Sequence, residues 1–175
     1  MFPCSRIERH RIVPLVFKRS EIIYDAENCS FVEGDIMKAD DDHARHQVFD
    51  IGQEGNINRV TRVLNLAHAE CIEMLYPYTK EEIPEDQEVL NDILASPDEY
   101  SVTLTLPEGF SLSTVKLLSN LIHEYLVCRV LADWMSITNP ASQANWEEKL
   151  ERVRTRIQTC LMSRTGKVRR KLKPF

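Results

Sequence analysis

Glycine is scarce in this sequence, with 5 residues among 175. Loops that hold phosphate groups and turns that hold dinucleotides need several closely spaced glycines, and neither pattern occurs in the chain. The Gly-x-Ser-x-Gly turn that presents a nucleophilic serine is also missing. These absences argue against the common hydrolases, nucleotide-dependent kinases and dinucleotide-dependent oxidoreductases. We expect a protein that is not an enzyme and has no cofactor.

Long apolar runs are missing as well. No stretch approaches the ~18 uninterrupted apolar residues of a membrane-spanning helix, and the first residues lack the apolar run of a signal peptide. The sequence therefore predicts a cytoplasmic protein without membrane contact. Cysteines are few, odd in number and far apart, which favours thiols over a disulfide framework; they are Cys4, Cys29, Cys71, Cys128 and Cys160.

Charge is distributed unevenly along the chain. The first twenty residues contain five basic groups and one acid, whereas residues 21–163 contain eleven basic and twenty-six acidic groups. The last twelve residues contain six basic groups and no acid. This basic tail, 164–175, has two interpretations: a solvated end, or an arm that docks on acidic protein or on nucleic acid. Its candidate docking residues are Arg164, Lys167, Arg169, Arg170, Lys171, Lys173 and Phe175.

The periodicity of apolar residues predicts a mainly α-helical fold. Predicted helices cover 41–53, 57–76, 85–95, 113–137 and 140–163. Helix 113–137 is apolar around most of its circumference and is the expected centre of a helical bundle. The short turn before Pro140 makes the last two helices an antiparallel hairpin.

A smaller β element is predicted beside the helices. Apolar and polar residues alternate over 100–106, which is typical of a strand. In the N-terminal segment 1–37, short β-favouring runs at Ile22–Tyr24 and Ser30–Val32 suggest a loose hairpin or extended arms, part of which pairs with the strand. The predicted organisation is thus an N-terminal segment 1–37, a helical domain 38–163 and the basic tail 164–175.

His43 and His46 are the weak candidates for a metal site. They lie one helical turn apart and could share a face with Asp50, next to a run of three aspartates. The cluster also fits a solvated helix start, where negative charge is favourable. No third ligand has a fixed spacing, so we expect no metal.

Three other groups of polar residues are interpreted as structural. His123 and Glu124 begin like a zinc-protease helix, but Val127 stands where the second histidine is required. His68 and Cys71 fall on an apolar helix face, where a thiol behaves as a small hydrophobe. Asp133 is expected to accept a hydrogen bond from Arg129, four residues earlier.

Several segments resemble a family of small, uncharacterised proteins encoded in prophages and mobile elements of gut bacteria. They are 56–64 with 76–78, Leu106–Phe110, Leu131–Trp134 through Asn139–Pro140, and the end of the chain. These are packing and turn residues, so the resemblance implies a shared fold. The gene context of such proteins implies a virion-structural or assembly role, such as a head–tail connector or tail-completion component.

The sequence as a whole predicts a non-enzymatic structural or assembly protein. Copies would form a homo-oligomer, or contact other virion proteins, through basic arms that dock on acidic surface. The alternative is an accessory protein that binds nucleic acid through the basic tail.

Overall fold

A computed structural model describes residues 10–37, 42–76, 78–79, 93–107 and 109–162. These residues form a two-stranded sheet and five α-helices. In chain order the elements are β1 (His10–Lys18), α1 (Arg19–Ile36), α2 (Asp42–Phe49), a 3₁₀ turn (Asp50–Gly52), α3 (Glu54–Met74), β2 (Glu99–Pro107), α4 (Leu112–Thr138) and α5 (Pro140–Met162). The mainly α-helical prediction is confirmed.

Helix α4 is the centre of the molecule, as predicted. Fourteen of its residues are buried, because α1, α2, α3 and α5 pack around a helix that is apolar on most sides. The chain reverses at Asn139, whose amide donates to the Met135 carbonyl at 3.0 Å. Pro140 then starts α5, which packs on α4 as the predicted antiparallel hairpin. Proline suits this position because the first turn of a helix needs no amide donor.

The two strands pair antiparallel, from His10 opposite Pro107 to Lys18 opposite Glu99. The predicted pairing of the 100–106 strand with the N-terminal segment is therefore confirmed. On β2 the apolar residues Tyr100, Val102, Leu104 and Leu106 are buried, whereas their neighbours Ser101, Thr103 and Thr105 are more exposed. The sheet thus covers the helices with one face and leaves its other face outward.

Residues 19–36 differ from the prediction. The expected hairpin or extended conformation after residue 20 is wrong, since this segment is helix α1. The β-favouring runs gave a wrong prediction because strand propensity is weak and depends on context. In the structure, the residues of this segment that pack on the core follow a four-residue spacing instead. The buried residues at that spacing are Ile22, Ala26, Ser30 and Gly34. Three of these four residues are small, so the buried side of α1 has little apolar surface. The spacing of large apolar residues in the sequence therefore does not reveal this helix.

Two shorter helices were also predicted. The helix expected over 41–53 is α2 followed by the 3₁₀ turn. The helix expected over 85–95 lies mostly outside the described residues, and its last part, 93–95, is not helical. Within the described ranges, no helix combines the length and apolar character needed to cross a bilayer.

Candidate functional site

A groove between α3 and α5, floored by α4, is a concave surface formed by the described residues. Its volume is about 450 Å³. Glu70 and Glu73 line one wall, Glu151 and Arg154 the other, and Tyr125 and Arg129 the floor. We call this surface the α3–α5 groove.

On the floor of the α3–α5 groove, two side chains donate to one carboxylate oxygen. The Tyr125 hydroxyl donates to Glu70 Oε2 at 2.9 Å, and Arg129 Nε donates to the same oxygen at 3.4 Å. Burial, and then the hydrogen bond to Glu70, raise the pKa of Tyr125. The hydroxyl therefore stays protonated and ties α3 to α4. A tyrosine held as a donor in this way cannot act as a base.

The rim of the α3–α5 groove is exposed. Arg154 Nη1 lies 3.4 Å from Glu151 Oε1, and both side chains are more than half exposed. Exposed pairs of this kind contribute only ~0–1 kcal/mol. The lining residues of the α3–α5 groove thus offer charged and hydroxyl groups for polar contacts.

The second concavity, of about 550 Å³, lies where the end of β1 and the start of β2 meet the starts of α1 and α3. Lys18, Arg19, Glu27 and Glu99 line it together with Tyr24 and Ile57. The Glu27 carboxylate lies against the backbone of Gly52, where a Cβ would overlap it. Cations and carboxylates alternate around this concavity, so it selects no single charge.

A polar cluster joins α1, α4 and α5. Lys149 Nζ lies 2.5 Å from Glu124 Oε1, and the Cys128 thiol lies 3.9 Å from the same oxygen. Burial lowers the pKa of Lys149, but the hydrogen bond to Glu124 and the charge interactions with Cys128, Glu124 and Cys29 together outweigh this effect, and the net shift is upward. Burial raises the pKa of Cys128 to about 12 and also raises the pKa of Cys29. These thiols stay protonated near neutral pH, which makes them poor nucleophiles.

The outward side of α1 carries large apolar residues. Tyr24 is 62% exposed, Phe31 60%, Val32 56% and Ile36 76%. With Asn28 between them, these residues follow spacings of four and seven, which place them on one side of the helix. We call this set the α1 outer face. An ordinary surface helix has the reverse arrangement, with large apolar residues inside and polar ones outside.

The inner side of α1 explains this inversion. Ala26, Ser30 and Gly34 are small and fully or nearly fully buried, so α1 lies close to its neighbours and has no room for large side chains there. The Ser30 hydroxyl donates to the Val48 carbonyl, which also accepts from Trp134 Nε1 at 3.0 Å. Glu33 accepts from the Ser142 hydroxyl at 2.9 Å and from Trp146 Nε1 at 3.2 Å. Ser30 and Glu33 thus make their polar contacts inward, whereas Tyr24, Phe31, Val32 and Ile36 are exposed.

The sheet has one covered edge and one open edge among the described residues. The Thr105 amide donates to the Tyr78 carbonyl at 2.8 Å and His68 Nε2 to the Ser101 carbonyl at 2.8 Å, which covers the far edge of β2. The Thr105 amide points away from β1. Every second residue of β1, counted from the residue paired with Thr105, therefore points its amide to the open edge. Pro14 is one of them, so the open edge lacks a donor at its middle.

The metal candidates do not converge on a third ligand. His43 Nε2 lies 3.2 Å from the Gln47 side-chain nitrogen, and His46 meets the Phe49 ring edge-on at 6.2 Å between ring centroids. Both histidines are exposed. In the part of the chain that the structure describes, no three His, Cys, Asp or Glu residues are placed to hold a metal ion.

Asp133 has a different partner from the one predicted. Arg59 of α3 donates to Asp133 Oδ2 with Nη2 at 2.9 Å and with Nε at 3.2 Å. Arg129 turns to Glu70 instead. The expected Arg129–Asp133 pair is therefore wrong, because α3 brings Arg59 and Glu70 alongside α4, which a spacing within one helix cannot reveal.

The other singled-out residues have packing roles. His123 Nε2 donates to Asp25 Oδ2 at 2.7 Å and so links α4 to α1. His68 lies against Tyr100 with 5.1 Å between ring centroids, and Cys71 is fully buried. The docking residues of the basic tail, 164–175, lie outside the described residues.

Comparison with known proteins adds no assignment: no protein-family model, no curated protein and no solved structure matches this chain.

Sequence reasoning missed the α1 outer face. The signal was present, since Tyr24, Asn28, Phe31, Val32 and Ile36 share one side of a helix. It was hidden because the same residues also favour strands and because no apolar stripe of large residues marks the buried side.

Proposed function

We propose that this protein is a non-enzymatic assembly protein that self-associates through the α1 outer face. The observation that carries the proposal is the inversion of α1, in which four large apolar side chains are more than half exposed on one helix face. Contiguous apolar surface on a helix is costly in water and is typical of protein–protein contact sites. Aromatic residues such as Tyr24 and Phe31 are enriched at such sites.

The basic tail supplies the second part of this proposal. The last twelve residues contain six basic groups, and residues 21–163 have an excess of fifteen acidic groups. Arms of one copy contact acidic surface of the next, which favours a ring or another oligomer. Each exposed ion pair contributes only ~0–1 kcal/mol, so apolar contact supplies most of the affinity.

The resemblance to prophage-encoded proteins suggests the setting. A virion connector or completion component is made in the cytoplasm and functions as copies bound to each other or to other virion proteins. Such a role needs packing surfaces rather than a catalytic site, and the α1 outer face is a surface of that kind.

The test compares two single substitutions by light scattering over a range of protein concentrations. Val32→Glu places a charge on the α1 outer face, and we expect it to lower the apparent mass. Leu66→Glu makes a matched change at a half-exposed site on α3 and should leave the mass unchanged. Unfolding in urea checks that both variants fold. A Val32→Glu protein that associates as the wild type does would contradict the proposal.

A tail deletion tests the alternative, nucleic-acid binding through the tail, which the six basic groups without an acid favour. Contacts with phosphate weaken steeply as salt rises. If deletion of residues 164–175 abolishes retention of DNA at low salt and leaves the oligomer size untouched, the tail serves nucleic acid and not assembly. If the deletion reduces the oligomer instead, the assembly role of the tail stands.

A further inference from the structure

We propose that Cys29 of α1 and Cys128 of α4 form a reversible disulfide when the protein meets a small-molecule disulfide oxidant. Both are free thiols in the structure. The bond would tie α1, the helix that carries the α1 outer face, covalently to the central helix. This inference goes beyond the proposed function and does not depend on it, since it concerns contacts inside one copy.

A first contact between α1 and α4 lies just before the two cysteines. His123 Nε2 donates to Asp25 Oδ2 at 2.7 Å. Cys29 follows Asp25 by four residues and Cys128 follows His123 by five, which is about one helical turn in each case. Each cysteine thus lies about one turn beyond the same contact.

A second contact lies just after them. The Ser30 hydroxyl of α1 and Trp134 Nε1 of α4 donate to one atom, the Val48 carbonyl oxygen. Because residue numbers rise from the first contact to the second in both helices, α1 and α4 run side by side in the same direction. Cys29 and Cys128 lie between the two contacts and are therefore at the same level of the helix pair.

The two helices approach each other closely. Ala26 and Ser30 are small and fully buried, and several Cα atoms of α1 lie within 8 Å of Cα atoms of α4. A disulfide requires Cα atoms about 4.4–6.8 Å apart, so large side chains on the inner side of α1 would prevent it. The small residues of α1 provide the approach that the bond needs.

Both thiols also face the same two charged side chains. The Cys128 thiol lies 3.9 Å from Glu124 Oε1, and Lys149 Nζ lies 2.5 Å from that oxygen. After burial, the charges of Lys149 and Glu124 have the next largest effects on the pKa of Cys29. A charge on Cys29 in turn raises the pKa of Cys128. The two sulfurs therefore belong to one cluster between α1, α4 and α5.

Exposure decides which thiol reacts first. Cys29 is partly exposed, whereas Cys128 is fully buried. With glutathione disulfide as the oxidant, the Cys29 thiolate attacks one of its sulfurs, the sulfur–sulfur bond breaks, and one glutathione leaves and gains a proton. The buried Cys128 does not meet the oxidant directly, so it acts only in the second step.

The second step closes the disulfide. The Cys128 thiol donates to Glu124 Oε1, so this carboxylate is placed to take its proton. The Cys128 thiolate attacks the Cys29 sulfur of the mixed disulfide, and the second glutathione leaves and gains a proton. Two protein thiols are thus oxidised to one disulfide, and one glutathione disulfide is reduced to two thiols. Excess glutathione reverses both steps.

The surroundings of the pair set the rate of the reaction. Burial raises the pKa of both thiols, and the cation of Lys149 opposes this effect. Carboxylates add to the rise at Cys29; they belong to Glu124, Asp25 and Glu33. Exchange needs the thiolate, so it should be slow near neutral pH and faster in mildly alkaline solution.

Peptide mapping of the wild type tests the pairing. The protein is incubated with glutathione disulfide in mildly alkaline solution, the remaining thiols are blocked, and the chain is digested with trypsin without reduction. Tryptic peptides 20–38 and 117–129 each contain a single cysteine, Cys29 and Cys128. We expect these two peptides to be joined, with a yield that does not depend on protein concentration. A different pairing, or a Cys29 that stays unmodified or keeps its glutathione, would overturn the proposal.

Three substitutions test the order of the steps. Cys128→Ala should leave Cys29 as the mixed disulfide with glutathione, whereas Cys29→Ser should leave Cys128 unmodified. Cys160→Ser on α5 is the matched control, since Cys160 is also partly exposed, and it should give the same joined peptides as the wild type. A Cys29→Ser protein that takes up glutathione at Cys128 would contradict the assigned order.

Unfolding in urea gives an independent readout. The bond closes a loop of about one hundred residues, and a cross-link of this kind restricts the unfolded chain and so favours the folded state. The oxidised wild type should therefore need more urea to unfold than the reduced protein, and the difference should vanish in Cys128→Ala. An oxidised wild type that unfolds at the same or a lower urea concentration would contradict a bond between positions that already face each other.

Discussion

At the scale of single residues, buried polar atoms are matched to partners. In the described part of the chain, no buried side-chain nitrogen or oxygen lacks a hydrogen bond. The Val48 carbonyl accepts from both Ser30 and Trp134, which joins α1, α2 and α4 at one atom. A buried polar group without a partner costs about 1–3 kcal/mol. The described interior thus avoids this cost, since its buried polar side-chain atoms all form hydrogen bonds.

Two buried thiols predict a loss of stability at high pH. Burial raises the pKa of Cys71 and of Cys128 from 9.0 to about 12. A raised pKa in the folded state means that the stabilising effect is complete below pH 9 and is lost as the pH rises from about 9 to about 12. Each thiol should lower the free energy of unfolding by about 1.4 kcal/mol per pH unit in that window.

Urea unfolding at pH 7.5 and pH 10 measures this effect. Cys71→Ala removes one titrating thiol, so its stability should fall less between the two pH values than that of the wild type. Its lower stability at pH 7.5, which reflects the lost packing, is a separate effect. An equal pH-dependent loss in both proteins would show that Cys71 does not contribute.

At the scale of helices and strands, sequence periodicity was informative where an element buries large residues. Helices α3, α4 and α5 and strand β2 were all predicted, because leucine, isoleucine and valine mark their buried sides. Helix α1 was not, because its buried side is small and its bulky residues point outward. Side-chain pairs between different helices could not be predicted from the sequence either. For example, Asp133 pairs with Arg59 of α3 and not with Arg129 of its own helix.

The close approach of α1 to α2 gives a prediction at this scale. A Cβ at Gly34 would overlap the ring of Phe49, which stacks on Phe31 with 5.2 Å between ring centroids. Alanine favours a helix by about 1 kcal/mol over glycine, but displacing the ring costs more. Gly34→Ala should therefore lower the free energy of unfolding by about 1–3 kcal/mol.

Gly55→Ala is the matched control. Nothing lies within 4 Å of a Cβ at Gly55, so the substitution should be neutral or should stabilise by up to about 1 kcal/mol. Urea unfolding of both variants checks the pair. Equal stability of Gly34→Ala and the wild type would mean that α1 and α2 separate easily.

At the scale of the whole molecule, the polar groups of the two concavities described above lie on exposed surfaces of the part of the chain that the structure describes. The α3–α5 groove has two donors on the Glu70 carboxylate and an exposed ion pair at its rim, and the inverted α1 leaves four large apolar residues exposed. The sequence predicted contact with other macromolecules from its charges, and located that contact in the tail. It could not locate the α1 outer face, because exposure depends on how α1 packs against α2, α4 and α5.

The most direct test of the account is hydroxyl-radical footprinting of the wild type as its concentration rises. Labelling of Tyr24 and Phe31 should fall as copies associate, because the α1 outer face becomes covered. Tyr76, which is also exposed but lies beyond the end of α3, should be labelled equally throughout. Constant labelling of Tyr24 and Phe31 at all concentrations would contradict the claim that this face is the association surface.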